Sequence, residues 1–194
     1  MNRLWGWLNR SGPPAPAPGL SPALLGVMVF TFLAGLPLDR WGAIAGQLVV
    51  SVWTWGVFLV LLARVDPQLR RPLMLCLLIA TAGEFFCSLV WGVYVYWAHN
   101  VPPFVPPGHV LLFALGLTWA PRMPVWSGPL AAAFAGFYGV AAWLTGADTI
   151  SALLALVFLL CMGLGSNRRL YATMFVLALV MELYGTWIGN WVWT

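Results

Sequence analysis

Residues 83–109 read GEFFCSLVWGVYVYWAHNVPPFVPPGH and hold a single acid, Glu84, in an otherwise apolar run. The run passes into alternating aromatic residues and then into a proline-rich segment between His99 and His109. An ionised carboxylate in apolar surroundings costs at least several kcal/mol unless it has a partner. The surroundings of Glu84 therefore decide how this segment folds and what it does.

The whole chain shares the apolar character of this stretch. Its 194 residues are 62% hydrophobic and 7% charged, whereas soluble domains carry about 25% charged residues. The composition therefore predicts an integral membrane protein. Lysine is absent, which excludes a retinal Schiff base and a pyridoxal–lysine linkage. The net charge of +4 comes from arginines between apolar runs, and it reflects membrane topology instead of nucleic-acid binding.

Seven apolar runs are candidates for membrane spans, each of which needs about 20 residues. They lie at about 21–38, 42–63, 73–97, 108–120, 125–146, 149–166 and 170–193. The fourth run is short, and a re-entrant or tilted segment there would reduce the count to six. With seven spans, all arginines except Arg40 lie on one side of the membrane. We therefore expect seven spans in the cell inner membrane, with the N-terminus cytoplasmic and the C-terminus outside.

The predicted fold is an all-α, polytopic bundle of about seven transmembrane helices. Residues 1–19 lack the apolar stretch of a signal peptide. The Trp and Leu residues between Arg3 and Arg10 predict a cytoplasmic interfacial anchor, and a Pro-rich linker follows it. Residues 20–194 predict a single transmembrane domain. The cysteines lie inside apolar runs at unrelated spacings, so we interpret them as small core residues.

One spacing occurs twice in the chain, at an offset of 98 residues. An arginine pair is followed thirteen residues later by a glutamate, and four residues beyond that by a small hydroxyl. The second arginine, the glutamate and the hydroxyl are Arg71, Glu84 and Ser88, then Arg169, Glu182 and Thr186. This pattern predicts a 3+1+3 direct repeat, with repeats at about 21–98 and 125–194 and a linker helix at about 108–120.

The repeated spacing places both glutamates at the same depth, about 20 Å above the arginine pairs at about 1.5 Å per residue. No lysine or arginine lies at that depth, so each glutamate is expected to be protonated or to face a polar cavity. We predict that Glu84 and Glu182 are catalytic. The predicted substrate-binding residues are Ser88, Trp91, Thr186, Trp187 and Asn190. The alternative is that the glutamates form interhelical hydrogen bonds that only fix packing.

The neighbouring aromatic and histidine residues have simpler interpretations. Tyr94, Tyr96, Trp97, Trp191 and Trp193 are interpreted as part of an aromatic belt at the outer interface. The two histidines are interpreted as solvated or interfacial residues, and we expect neither a metal nor a cofactor. Residues 101–108, VPPFVPPG, are expected to form a rigid lid or corner, because proline opposes helix formation.

Two segments, GEFFCSLVWGVYVY (83–96) and MELYGTWIGNWVW (181–193), resemble the integral-membrane lycopene cyclase domain and the related carotenoid hydratases. The second resembles the string E-x-x-G-T-x-x-G-x-W-x-W. Those cyclases favour a paired acidic motif after a proline, whereas Glu84 stands single after Gly83. The resemblance implies protonation of an isoprenoid double bond by a neutral carboxylic acid, with the carbocation stabilised by aromatic faces such as those of Trp91 and Trp187.

Three functions are compatible with the sequence. The first is a cofactor-independent membrane enzyme that protonates, cyclises or hydrates an isoprenoid lipid of the carotenoid type. The second is a small transporter or proton-coupled carrier whose glutamates bind substrate or protons. The third is a non-catalytic membrane subunit. The expected partner is a membrane lipid or isoprenoid and not a nucleic acid, and the sequence leaves open whether the protein forms a homo-oligomer.

Overall fold

The computed structural model describes residues 19–146 and 149–194. These residues form seven α-helices and one two-stranded sheet, so the helical fold class is confirmed at this level. The helices are α1 (Pro22–Trp41), α2 (Ala43–Arg64), α3 (Pro67–Glu84), α4 (Val105–Trp119), α5 (Ser127–Thr145), α6 (Thr149–Leu164) and α7 (Arg168–Ile188). The strands are β1 (Tyr94–Tyr96) and β2 (Trp191–Trp193). The predicted N-terminal anchor and nearly all of the linker lie outside the described residues.

Two short irregular turns extend these helices. Helix α3 continues as π-helical turns over Phe85–Trp91, and a 3-10 turn at Ala120–Arg122 follows α4. Helix α3 begins where the side chain of Asp66 accepts a hydrogen bond from the Gln68 amide, at 2.9 Å, which satisfies one of the free amides of the first turn.

Five of the described helices are long and apolar enough to cross a membrane: α1, α2, α3 with its π-helical turns, α5 and α7. Helix α6 is apolar but shorter. Large hydrophobic side chains cover their surfaces; Phe137 and Leu144, for example, are each 78% exposed. Soluble monomers rarely expose large contiguous apolar patches. The helices therefore fit a membrane protein.

The chain divides into two compact units. One contains 119–177, and the other contains 19–118 with 178–194. In the first unit α5 and α6 pack closely, because a Cβ on Gly139 would lie only 2.6 Å from the Cβ of Ala155. The rings of Phe158 and Phe175 stack at 4.7 Å in the same unit.

Helix α4 is the most enclosed part of the second unit, since eleven of its residues are buried. It begins at Val105, with Pro106 and Pro107 in its first turn. Proline is tolerated there because the first amides of a helix have no partner within it. The expectation that 101–108 forms only a non-helical lid is therefore wrong for its last four residues.

Helix α4 is about 22 Å long at 1.5 Å per residue, which is shorter than a hydrocarbon core of about 30 Å.

Helices α3 and α7 end differently from the predicted spans. The π-helical extension of α3 stops at Gly92 (φ 71°), and α7 stops before Gly189 (φ 85°), both in the left-handed conformation that glycine adopts at little cost. The predicted spans to residues 97 and 193 are therefore too long. The segments YVY and WVW that follow are strands, because alternating aromatic and β-branched residues suit a pleated surface.

The two strands pair antiparallel in one register: Tyr94 lies opposite Trp193, Val95 opposite Val192, and Tyr96 opposite Trp191. The pairing continues at both ends, where the Trp97 amide donates to the Asn190 carbonyl at 3.0 Å and the Thr194 amide donates to the Val93 carbonyl at 3.1 Å. This sheet, which we call the aromatic ribbon, joins the ends of α3 and α7.

Candidate functional site

Glu84 lies at the end of the α-helical part of α3 and is 8% exposed. Its Oε2 accepts hydrogen bonds from the hydroxyls of Tyr94, at 2.6 Å, and Tyr96, at 2.7 Å. Its Oε1 lies 3.4 Å from Nε2 of His109, on α4. The carboxylate therefore has three polar partners, all of which the sequence analysis had assigned to the outer interface or to solvent.

The left-handed turn at Gly92 brings the tyrosines to Glu84. It directs β1 back beside the end of its own helix. Side chains two residues apart on a strand point the same way, so Tyr94 and Tyr96 both face the carboxylate. The signal for this arrangement in the sequence is the alternation V-Y-V-Y directly after Gly92.

Glu182 has a corresponding partner on its own side of the ribbon. Nε1 of Trp191 donates a hydrogen bond to Oε2 of Glu182 at 3.0 Å. The remainder of the Glu182 side chain is exposed on α7. Trp191 lies directly against α7 at Gly185, where a Cβ would come within 2.0 Å of the indole ring. A glycine at that position is therefore a steric requirement of the contact.

The two glutamates thus share one local arrangement. In each case a helix carries the glutamate, a left-handed glycine ends the helix, and the first aromatic residue of the following strand donates a hydrogen bond back to the glutamate. The segment after Glu84 is one residue longer than the segment after Glu182. The π-helical turns at 85–91 accommodate that residue, since such turns close one residue later than α-helical turns.

The aromatic ribbon connects the two glutamates through ring contacts. The centroids of Tyr96 and Trp191 are 5.9 Å apart, and each of these residues hydrogen bonds one of the glutamates. Glu182 is also within electrostatic range of Glu84 and His109. Both carboxyl groups therefore hydrogen bond to the same aromatic ribbon.

The tyrosines of β1 are held in their protonated form. Burial and the hydrogen bond to Glu84 raise the pKa of Tyr94. Burial and the charge of Glu84 raise the pKa of Tyr96. Both phenols therefore remain hydrogen-bond donors throughout the physiological range.

The predicted substrate-binding residues fall into two groups. Ser88 is half-buried, and Trp91, Thr186 and Trp187 are exposed on helix surfaces, Trp187 at 81%. Asn190 lies elsewhere: its side chain is buried, and its Nδ2 donates to the Leu36 carbonyl. Asn190 does not share a helical face with Glu182, because α7 ends at Ile188 and the chain turns at Gly189.

Asn190 belongs to a second polar cluster, centred on the fully buried Asp39 near the end of α1. Oδ2 of Asp39 accepts hydrogen bonds from Nδ2 of Asn190, at 2.8 Å, and from Nε1 of Trp97, at 2.9 Å. Its Oδ1 accepts from Nε2 of Gln47 at 3.1 Å. The guanidinium of Arg40 lies 5.9 Å from the centre of the Trp97 ring. Asp39 therefore holds the end of β1 and the start of β2 together, a role that sequence reasoning missed.

Among residues 19–146 and 149–194, no group of three or more His, Cys, Asp or Glu side chains is placed to hold a metal ion. Comparisons with protein-family models, with curated proteins and with solved structures give no match for this chain.

Proposed function

We propose that this protein is an integral membrane enzyme that protonates and deprotonates an isoprenoid lipid without a cofactor. Glu182 is the acid and Glu84 the base. The observation that carries the proposal is the connection of two glutamates, from two apolar helices, through one aromatic ribbon. General acid–base chemistry needs two such groups in different environments within one site.

The two roles follow from the hydrogen-bond donors around each carboxyl group. Glu84 accepts from two phenols and faces an imidazole, and donors of this kind stabilise a negative charge. Glu182 accepts from one indole, and the rest of its side chain lies on an apolar helix surface. A neutral carboxylic acid is less costly than a carboxylate in such surroundings.

The substrate class follows from the surroundings of the carboxyl groups. Protonation of a carbon–carbon double bond creates a carbocation, which aromatic faces stabilise. The rings of Tyr94, Tyr96, Trp191 and Trp193 form a continuous aromatic set next to both glutamates. The exposed apolar faces of α3 and α7 would allow a lipid-soluble substrate to approach from the bilayer. The resemblance to the lycopene cyclase domain supports a polyene as the substrate.

We also propose that the two helix–glycine–strand segments descend from one unit, as parts of repeats at about 21–98 and 125–194. Their common order of features supports this origin, and so does the antiparallel pairing of their strands about a local two-fold axis at Val95 and Val192. The same proposal includes seven spans with a cytoplasmic N-terminus.

A proton-coupled carrier is the second candidate. It is favoured by the direct contact of Glu84 with His109, because chains of titratable groups are typical of proton pathways in membrane proteins. A carrier would change the flux of a solute and leave lipid chemistry unaltered.

The test is to express the wild type, Glu84→Gln and Glu182→Gln in bacteria that make lycopene, and to profile the extracted lipids by chromatography and mass spectrometry. We expect a cyclised or hydrated product with the wild type. Either glutamine variant should reduce it by about 100-fold or more, the usual contribution of a general acid or base.

Asp66→Asn is the matched control, because it makes the same chemical change at an exposed helix cap where asparagine serves equally well. It should leave the product unchanged. An unaltered lipid profile with well-expressed, folded wild-type protein would contradict the enzyme proposal for this substrate, and the carrier would then be tested by flux measurements.

A further inference from the structure

His109 is held in one tautomer by its own helix. Its Nδ1 lies 3.0 Å from the carbonyl oxygen of Val105. A carbonyl oxygen can only accept a hydrogen bond, so Nδ1 must carry a hydrogen. The other nitrogen, Nε2, faces Oε1 of Glu84 at 3.4 Å. Nε2 carries a hydrogen only when the ring is an imidazolium.

This geometry lets the facing atoms share one proton. With the proton on Nε2, the contact is an imidazolium–carboxylate pair; with the proton on Oε1, it is a carboxylic acid facing a neutral imidazole. The two atoms lie 3.4 Å apart, slightly more than in an ordinary N–H···O bond of about 2.7–3.2 Å, so transfer of the proton requires the imidazole ring to move closer to Glu84. The His109 side chain is 45% exposed, whereas that of Glu84 is 10% exposed. The imidazole is thus the more accessible member of the pair.

Several other groups face this pair. Tyr94 and Tyr96 donate to the second oxygen of Glu84 and leave Oε1 to His109. Glu182, on α7, lies within electrostatic range of both members of the pair. On α3, the thiol of Cys76 contacts the His109 carbonyl, and Cys87 lies near the Glu84 charge. Among these side chains, His109 alone becomes a cation when it takes up a proton.

We propose that His109 is the proton relay for Glu84, a role that rests on the proposed function of Glu84 as the base. Glu84 takes a proton from the substrate carbocation, whose C–H bond electrons form the new double bond. Oε1 then gives that proton to Nε2 of His109, which restores the carboxylate and forms an imidazolium. The imidazolium releases the proton from Nε2 to water, and Nδ1 keeps its hydrogen throughout.

The first test needs no substrate. Infrared spectra of the purified protein in lipid nanodiscs, all taken at one pH, would compare the carboxylic-acid band of Glu84, assigned by its loss in Glu84→Gln. In His109→Gln we expect this band to be stronger than in the wild type, because Oε1 of Glu84 then has no imidazole nitrogen to which it can give its proton. His99→Gln is the control and should leave the band unaltered. An unaltered band in folded His109→Gln would overturn the relay.

If His109→Gln does not fold, nitrogen NMR of the histidine rings in the wild type tests the relay instead. The relay requires that Nδ1 of His109 carry a hydrogen and that Nε2 be the nitrogen that gains or loses one. A neutral ring with its hydrogen on Nε2 would refute it.

Kinetics separate the relay from a structural role. His109→Ala should lower turnover about 10-fold or more, and added imidazole should restore much of it, since the cavity left by the side chain can hold the free base. A loss that imidazole does not restore, together with an unshifted pH profile, would overturn the relay. A stronger carboxylic-acid band in His109→Gln, together with no lipid product from the wild type, would support the proton pair and refute the proposed enzyme.

Discussion

Single residues at the helix ends decide how the two glutamates meet their partners. The Trp191 ring reaches Glu182 only because position 185 has no side chain, so the indole can lie on the bare backbone of α7. The equivalent step after Glu84 uses phenols, with Cys87 rather than glycine three residues beyond the glutamate. The missing side chain at position 185 is therefore specific to the contact that Trp191 makes.

Gly185→Ala is predicted to displace Trp191 and break its hydrogen bond to Glu182, because the new Cβ would overlap the ring. The expected loss of unfolding free energy is about 1–3 kcal/mol, as for other overpacked sites. Thermal unfolding in detergent, followed by tryptophan fluorescence, would measure it.

The control is Gly56→Ala, in the exposed part of α2, where a Cβ meets no atom within 4 Å. It should be neutral or stabilising by up to about 1 kcal/mol, since alanine favours a helix. Equal stabilities of the two variants would contradict the packing argument.

At the scale of elements, a single carboxylate connects three parts of the chain. Asp39, near the end of α1, binds Gln47 on α2 as well as the residues that flank the strands, Trp97 and Asn190. Because Trp97 and Asn190 also pair through their backbones, Asp39 sets the position of the whole aromatic ribbon. The two glutamates therefore depend on a residue with which neither forms a hydrogen bond.

Asp39→Asn is predicted to lower the free energy of unfolding by about 1–3 kcal/mol, the cost of leaving buried polar groups unsatisfied. The substitution would place a second NH₂ donor opposite Nε2 of Gln47. The Gln47 amide cannot reverse its orientation, because its oxygen already accepts a hydrogen bond from Asn100 at 2.9 Å. Denaturant unfolding in detergent would measure the change. Asp66→Asn, the same substitution at an exposed cap, should leave stability unaltered; matching losses in both variants would refute a specific role for Asp39.

At the scale of the molecule, the distribution of charge predicts orientation. All arginines except Arg40 lie on one side if seven segments cross, which places the N-terminus in the cytoplasm and the C-terminus outside. Helices α4 and α6 are the shortest of the described helices, and neither is among the five that are long enough to span. If only one of them fails to cross, the two termini lie on the same side.

Reporter fusions at each terminus would therefore show whether the number of crossings is odd, as seven crossings require, or even. We expect a green fluorescent protein to be bright at the N-terminus and dark at the C-terminus. Alkaline phosphatase should be active when fused after Thr194, because it requires the oxidising periplasm. A bright C-terminal fluorescent fusion with an inactive phosphatase would contradict seven crossings.

Local features of the sequence determined much of this protein. Composition and long apolar runs predicted helices with apolar surfaces, and the repeated spacing identified Glu84 and Glu182. Helix formation depends on residues that are close together in the sequence, because a helix satisfies its own backbone hydrogen bonds. The apolar runs continue past Gly92 and Gly189, so the sequence wrongly predicted that the aromatic residues beyond these glycines lie on helices.

Only the tertiary structure decided the partners of the glutamates. His109 approaches Glu84 because α4 packs into its unit, and Tyr96 meets Trp191 because strands from distant parts of the chain pair. Asp39 was overlooked because its partners are spread along most of the chain. Such contacts depend on which surfaces meet in three dimensions, and no local periodicity encodes them.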